Sequence, residues 1–170
     1  SLGLDIKDVK LNWPMVQERK NMAVFQLVDG VKTLLETNKV NVIQGRGKFL
    51  TRYELEVITN TKERVLIPFD KAIIATGSTP IKIPIAGADL DGVITSREAL
   101  SLDSVPESIC IIGGGVIGVE FANIFLNAGS KVTIIEMLPN ILTNIDEDLV
   151  ECLKTEFIEA GVEIHIESRV

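Results

Sequence analysis

The sequence predicts an α/β protein in two parts, and three observations carry that reading. After Pro106 the apolar runs alternate as strand, helix, strand, helix, strand, the pattern of a parallel sheet with right-handed crossovers. Short strands separated by polar turns fill much of the first half, the pattern of an antiparallel meander. Hydrophobic residues make up 46% of the 170 and aromatics only 5%, so the core is built from Ile, Val, Leu and Ala, which suits strands buried on both faces.

The elements follow in order. Asn12-Trp13-Pro14 opens a helix, with proline in the first turn where its missing N–H costs nothing. Val24, Leu27, Val28, Val31, Leu34 and Leu35 recur at helical spacing, and Asn38 supplies a stop, so the segment is one long amphipathic helix. Strands are expected at VNVI (40–43), KFL (48–50), YELEVI (53–58) and RVLI (64–67), with Gly45-Arg46-Gly47 and residues 59–63 as turns. The apolar run KAIIATGSTP (71–80) closes on glycine and proline, and IKIPIAGADLDGV (81–93), without a period, reads as a linker. Thr95-Ser96-Arg97-Glu98 has the chemistry of a capping box and opens a short helix. Beyond Pro106 come ICII (109–112), a helix over about 115–128, KVTIIE (131–136), a helix over about 146–160, and VEIHI (162–166). Gly129 and Gly161 follow the two helices, where a left-handed cap is wanted.

Composition removes some functions. The net charge is −7 and Lys and Arg do not cluster, which argues against a nucleic-acid or anionic-membrane surface. No apolar run reaches the length of a membrane span, and the first ten residues lack signal-peptide features. Cys110 and Cys152 are expected to be buried thiols in a reducing compartment, hence a cytoplasmic protein. His165, alternating with Ile164 and Ile166, reads as a solvent-facing strand residue rather than a catalytic base. No catalytic residue and no metal site are assigned.

The chemistry concentrates at ICIIGGGVIGVEFA (109–122). Gly113-x-Gly115-x-x-Gly118 lies between a strand and a helix, and Glu136 ends the next strand, the arrangement that binds a dinucleotide. Gly113 permits the tight turn, Gly115 lets a pyrophosphate approach the backbone, and Gly118 lets the helix pack on the sheet. The unpaired N–H groups of the first helical turn then hold the phosphates. The Glu136 carboxylate suits the ribose hydroxyls and would repel a 2′-phosphate. At ~4 Å and an effective dielectric of about 20 a like-charge pair costs roughly 4 kcal/mol. Met137, Leu138, Pro139 and Asn140 offer no cation to offset that, so NAD is favoured over NADP. No Gly-Lys-Ser/Thr follows, which removes a nucleoside-triphosphate loop.

Three phrases, LVDGVKTLLETNKVNVIQGRGKF, AIIATGSTPIKIP and VPESICIIGGGVIGVEFANIFLNAGSKVTIIEM, resemble the pyridine nucleotide–disulfide oxidoreductase family, and within it the dihydrolipoyl dehydrogenase branch. The resemblance covers essentially the whole chain. It implies a Rossmann-like FAD/NAD(P)-binding fold. Residues 1–79 would be part of an FAD domain (helix plus antiparallel β-meander), and 80–170 the first half of a parallel-sheet NAD domain. It implies FAD beside Gly47, Thr76, Gly77 and Ser78, with Glu120 an acid near the flavin. It implies NAD at Gly113, Gly114, Gly115, Val116, Ile117, Gly118, Glu136 and Val170. Val116, a small aliphatic where some relatives place an aromatic, resembles the lipoamide branch. The alternative readings are the end of a hairpin turn for Gly47, a strand terminator for Gly77 and a helix-surface acid for Glu120.

The family's dithiol chemistry needs a CxxxxC pair and a histidine backed by an acid, and neither is in these residues. The chain is therefore expected to be an interior piece, inactive alone and holding little or no FAD. Its parent is expected to pass electrons from a dithiol through FAD to NAD, as a homodimer serving a 2-oxo acid dehydrogenase complex. A sister enzyme (mercuric reductase, NADH oxidase or CoA-disulfide reductase) and a non-catalytic NAD-binding module are the alternatives.

Overall fold

The computed structural model describes residues 8–170, in two compact units. One is Arg19–Thr79; the other is Pro80–Val170 with the start of the first helix up to Glu18.

Helix α1 (Trp13–Thr37) begins where expected: the Asn12 side chain accepts a hydrogen bond from the Met15 N–H at 3.2 Å. It ends at Asn38, whose side-chain amide donates to the Leu34 carbonyl at 2.8 Å, while Lys39 turns the chain in a left-handed conformation (φ 57°). Most of its apolar residues are uncovered; Phe25 and Leu27 are 70% and 72% exposed, and no described residue of α1 is buried.

Strands β1 (Gly45–Thr51), β2 (Glu54–Thr59) and β3 (Arg64–Pro68) form an antiparallel sheet in sequence order. The meander is as expected, with two differences. Gly45, Arg46 and Gly47 do not turn; they are the first rungs of β1, opposite Thr59, Ile58 and Val57. A Cβ on Gly45 would lie 2.4 Å from the Ile58 carbonyl oxygen, so that glycine marks a close strand approach, not a loop. Residues 40–43 form no strand and pair with neither free edge of the β1-β2-β3 sheet. The apolar run 71–80 likewise has no regular structure, and Ile73 and Ile74 are 93% and 71% exposed. A parallel-type strand needs a neighbour to bond its N–H and C=O groups, and no described strand pairs with this one.

In the other unit α2 (Ser96–Ala99) carries the expected capping box: the Thr95 N–H donates to the Glu98 carboxylate at 2.8 Å, and the Thr95 hydroxyl accepts from the Arg97 N–H. The Thr95 hydroxyl, then its N–H, holds the Glu98 carboxyl below its ordinary value. The native state therefore binds this proton less readily than the unfolded chain. The box supports α2 fully above the ordinary glutamate range and stops doing so as pH falls through the lowered value. Carboxyl NMR titration should show the Glu98 midpoint rising towards the ordinary value in Thr95→Ala.

Strands β4 (Ser108–Ile112), β5 (Lys131–Ile135) and β6 (Glu163–His165) form a parallel sheet in the order β4-β5-β6. Helix α3 (Val116–Ala128) connects the first two and α4 (Glu147–Glu159) the second two. Gly129 (φ 97°) and Gly161 (φ 93°) end the helices left-handed, as expected. On α3, Val119, Ala122 and Phe125 fall on one stripe and bury against Val132 and Ile134 of β5. Val150 and Phe157 of α4 join the same core, and Trp13 borders it, donating its indole N–H to the Leu102 carbonyl at 2.8 Å.

Both helices thus pack on one sheet face. The reading of the cysteines is corrected: Cys110, among the alternate strand residues that point the other way, and Cys152, off the buried stripe of α4, are exposed and free, not buried. Ile109 and Ile111 take the core side of β4, so the period of two puts Cys110 outside. His165 is exposed, as expected, its side chain 3.9 Å from Glu163.

Candidate dinucleotide site

The corner between β4 and α3 is built peptide by peptide. The Gly113 N–H extends the ladder to the Ile135 carbonyl at 2.8 Å, and Gly113 then turns at φ 110°, a conformation side chains rarely adopt. The Gly114 N–H donates to Glu136 Oε2 at 2.7 Å, and the Gly114 carbonyl accepts from the Leu142 N–H at 2.8 Å. Gly115 caps α3 in an extended conformation, and the first helical bond runs from the Val119 N–H to its carbonyl at 3.0 Å. The N–H groups of Val116, Ile117 and Gly118 precede that bond and have no helical acceptor.

The glycines of the corner differ in what surrounds them. A Cβ on Gly115 would meet nothing within 4 Å, so its side of the turn is open to a ligand. A Cβ on Gly118 would lie 2.1 Å from the Gly113 carbonyl oxygen, so α3 can meet the strand only with glycine there. Gly114, the unspecified position of the motif, is just as constrained: its Cβ would lie 2.4 Å from Ile141 Cγ2. Nothing in the motif signals this, because Ile141 arrives from a loop 27 residues on.

Glu136 sits where the three strands end. Its N–H donates to the His165 carbonyl (2.8 Å), its carbonyl accepts from the Ser168 N–H (2.9 Å), and its second carboxylate oxygen accepts from the Leu138 N–H (2.8 Å). It is buried, yet it lines an open cleft of about 150 Å³ with Gly114, Gly115, Val116, Leu138, Asn140 and residues 142–145. Residues 137–145 contain no Lys or Arg, so no cation on this wall favours a 2′-phosphate. Asn140 ties the wall to α4 through Glu151, whose carboxyl Lys154 first, and Asn140 second, hold below its ordinary value.

Of the residues assigned from sequence, Gly114, Gly115, Val116 and Glu136 line the cleft, while Gly113, Ile117 and Gly118 build its corner. The Gly114 amide, which precedes the first helical turn, is bound by Glu136. Glu120 is exposed on α3, and Val170 is exposed past β6. Gly47, Thr76, Gly77 and Ser78 belong to the Arg19–Thr79 unit; all are exposed, and Gly77 has φ 75°. Ile141, Leu142, Thr143, Asn144 and Ser168 were not legible, because their part depends on a loop folding back. Among the described residues no His, Cys, Asp and Glu cluster could hold a metal, and no helix is long and apolar enough to cross a membrane.

The model of the family described as pyridine nucleotide-disulphide oxidoreductase matches residues 5–170. The chain belongs to that family. Within the pyridine nucleotide-disulphide oxidoreductases, it is 38% identical over 172 residues to dihydrolipoyl dehydrogenase of Bacillus subtilis, covering 100% of this chain and 37% of that protein. It is 40% identical over 168 residues to dihydrolipoyl dehydrogenase of Staphylococcus aureus, covering 99% and 36%. Among solved structures, LpdA from Mycobacterium tuberculosis superposes with a TM-score of 0.84 at 27% identity, covering 95% of this chain and 36% of that one. The Cu(II) complex of the HOCl-induced flavoprotein disulfide reductase RclA from Escherichia coli does so with a TM-score of 0.80 at 32% identity, covering 94% and 36%. The chain thus spans little more than a third of the length of these family members. Its α/β fold, with an antiparallel and a parallel three-stranded sheet, is the one that superposes on these solved structures.

Proposed function

We propose that this chain is the cofactor-binding interior of an enzyme of the dihydrolipoyl dehydrogenase type, which passes electrons from a dithiol through FAD to NAD. Residues 80–170 are the first half of its NAD domain, and residues 1–79 part of its FAD domain. The observation that carries the reading is the cleft between Gly115 and Glu136. It joins an open glycine, helical N–H groups without acceptors and a carboxylate in one place.

In this reading Gly113 to Gly118 hold the diphosphate, Glu136 the adenosine ribose hydroxyls and Val170 the adenine. Gly47, Thr76, Gly77, Ser78 and Glu120 serve FAD, an assignment supported by the family relationship alone. When bound, FAD would supply two-electron redox chemistry and NAD a hydride acceptor, each held by the residues just named. The chain's own contribution is to bind and orient: backbone N–H groups neutralise phosphate charge, and Glu136 accepts from the hydroxyls while opposing a 2′-phosphate. A homodimer, a 2-oxo acid dehydrogenase complex as partner and a cytoplasmic location complete the proposal; two free cysteines agree with a reducing compartment.

RclA, similar over 94% of this chain, favours a second reading as a sister disulfide reductase. Purified whole enzyme distinguishes the two. Reduction of NAD by dihydrolipoamide, at least about tenfold more efficient than reduction of NADP, is the expected result. Inertness towards dihydrolipoamide, with flavin-dependent oxidation of NADH or NADPH by another disulfide or a metal ion, supports the second reading instead.

A further inference from the structure

Five described non-glycine residues have positive φ: Asp8, Lys39, Lys62, Leu142 and Glu167. Four are polar or charged. Leu142, at φ 50°, is the apolar exception, and its side chain has no polar atom with which to offset the conformation. Both polar groups of its backbone are engaged. Its carbonyl accepts from the Ile145 N–H at 2.8 Å, and its N–H donates to the Gly114 carbonyl at 2.8 Å.

The second bond matters because Gly114 and Gly115 share a peptide. Every described peptide bond is trans, so the carbonyl of one residue and the N–H of the next point in opposite directions. Fixing the Gly114 carbonyl on Leu142 therefore fixes the direction of the Gly115 N–H. Two glycines in sequence give little intrinsic resistance to a peptide flip, and a flip would present a carbonyl oxygen where a diphosphate needs a donor. The preceding peptide is already held by Glu136, which leaves this one to Leu142. Ile141, 1% exposed and packed against Gly114, keeps the loop seated.

We propose that Leu142 is a positioning residue for the diphosphate of the dinucleotide, acting through the Gly114–Gly115 peptide by its left-handed backbone rather than by its side chain. The proposal rests on the reading of the cleft as a dinucleotide site, and its test separates the two. Leu142→Ile keeps the atoms and polarity of the side chain, but β-branching disfavours positive φ. Leu142→Asn and Leu142→Gly remove the half-buried side chain and accept that conformation.

The experiment titrates ADP and NADH against the whole enzyme, wild type and each variant, with thermal melting alongside. The affinity order and the stability order are expected to cross. Leu142→Ile should weaken ADP by about tenfold or more, the scale of one strained backbone conformation. Leu142→Asn and Leu142→Gly should bind ADP within about threefold of wild type while melting lower, because they lose core packing. Full ADP affinity in Leu142→Ile overturns the proposal. So does weak ADP binding by Leu142→Asn and Leu142→Gly, which also decides the matter if Leu142→Ile does not fold. A wild-type enzyme that binds neither ADP nor NADH removes the dinucleotide site itself, and this inference with it.

Discussion

Gly118→Ala in the whole enzyme is expected to weaken dinucleotide binding by about a hundredfold, and no trimming of neighbouring side chains should restore it. The new methyl would lie 2.1 Å from the Gly113 carbonyl oxygen and 3.3 Å from its carbon. Those are backbone atoms, fixed by the Gly113 N–H bond to Ile135 on one side and by α3 on the other. The helix has to move outward by about 1 Å, and a misplacement of that size costs about a hundredfold in a preorganised site. Strain of about 1–3 kcal/mol in stability accompanies it.

Gly114→Ala is the informative partner. Its methyl meets a side chain, Ile141 Cγ2 at 2.4 Å, so the obstacle can be removed. Ile141→Ala alone should cost about 2–5 kcal/mol, since that residue is 1% exposed. The double variant should be more stable than the sum of the two single costs and should recover part of the NADH affinity lost in Gly114→Ala. NADH titration and thermal melting of the four enzymes read both effects. Wild-type NADH affinity in Gly118→Ala would contradict the packing role of that glycine.

Glu136→Gln should be far from conservative. Both carboxylate oxygens accept backbone N–H groups, one from Gly114 at 2.7 Å and one from Leu138 at 2.8 Å. An amide has one oxygen, so in either orientation its NH₂ faces an N–H and leaves that donor unpaired in a buried place. The cost is about 1–3 kcal/mol, present before any cofactor binds. The melting temperature of cofactor-free enzyme should fall, and NADH affinity should fall further through loss of the ribose acceptor. Selectivity should shift towards NADPH because a negative charge is gone, yet neither cofactor should bind as well as NADH binds wild type. An enzyme that melts with wild type and gains NADPH affinity would mean that Glu136 selects the cofactor without bracing the turn.

Much of this chain was legible because its signals are local. Period and capping located α1, α2 and the β4–β6 alternation, and the glycine spacing with Glu136 located the cleft, since each depends on residues within a turn or one βαβ unit. The misreadings share a cause. Gly45-Arg46-Gly47 resembles a turn in isolation, and only pairing with β2 makes it a strand. Cys110 looks buried in an apolar run, and only the choice of sheet face exposes it.

By itself the sequence determined the two sheets, the helix ends, the glycine corner and the acid beside it, because those follow from backbone sterics and periodicity along the chain. The tertiary structure alone decided that Ile141 fills the space over Gly114, that Leu142 holds the next peptide, and that Glu136 joins three strand ends. Those contacts lie 22 to 29 residues from their partners in sequence. Hydrogen bonds of that range are set by where a loop returns in space, and no pattern of neighbouring residues encodes the return.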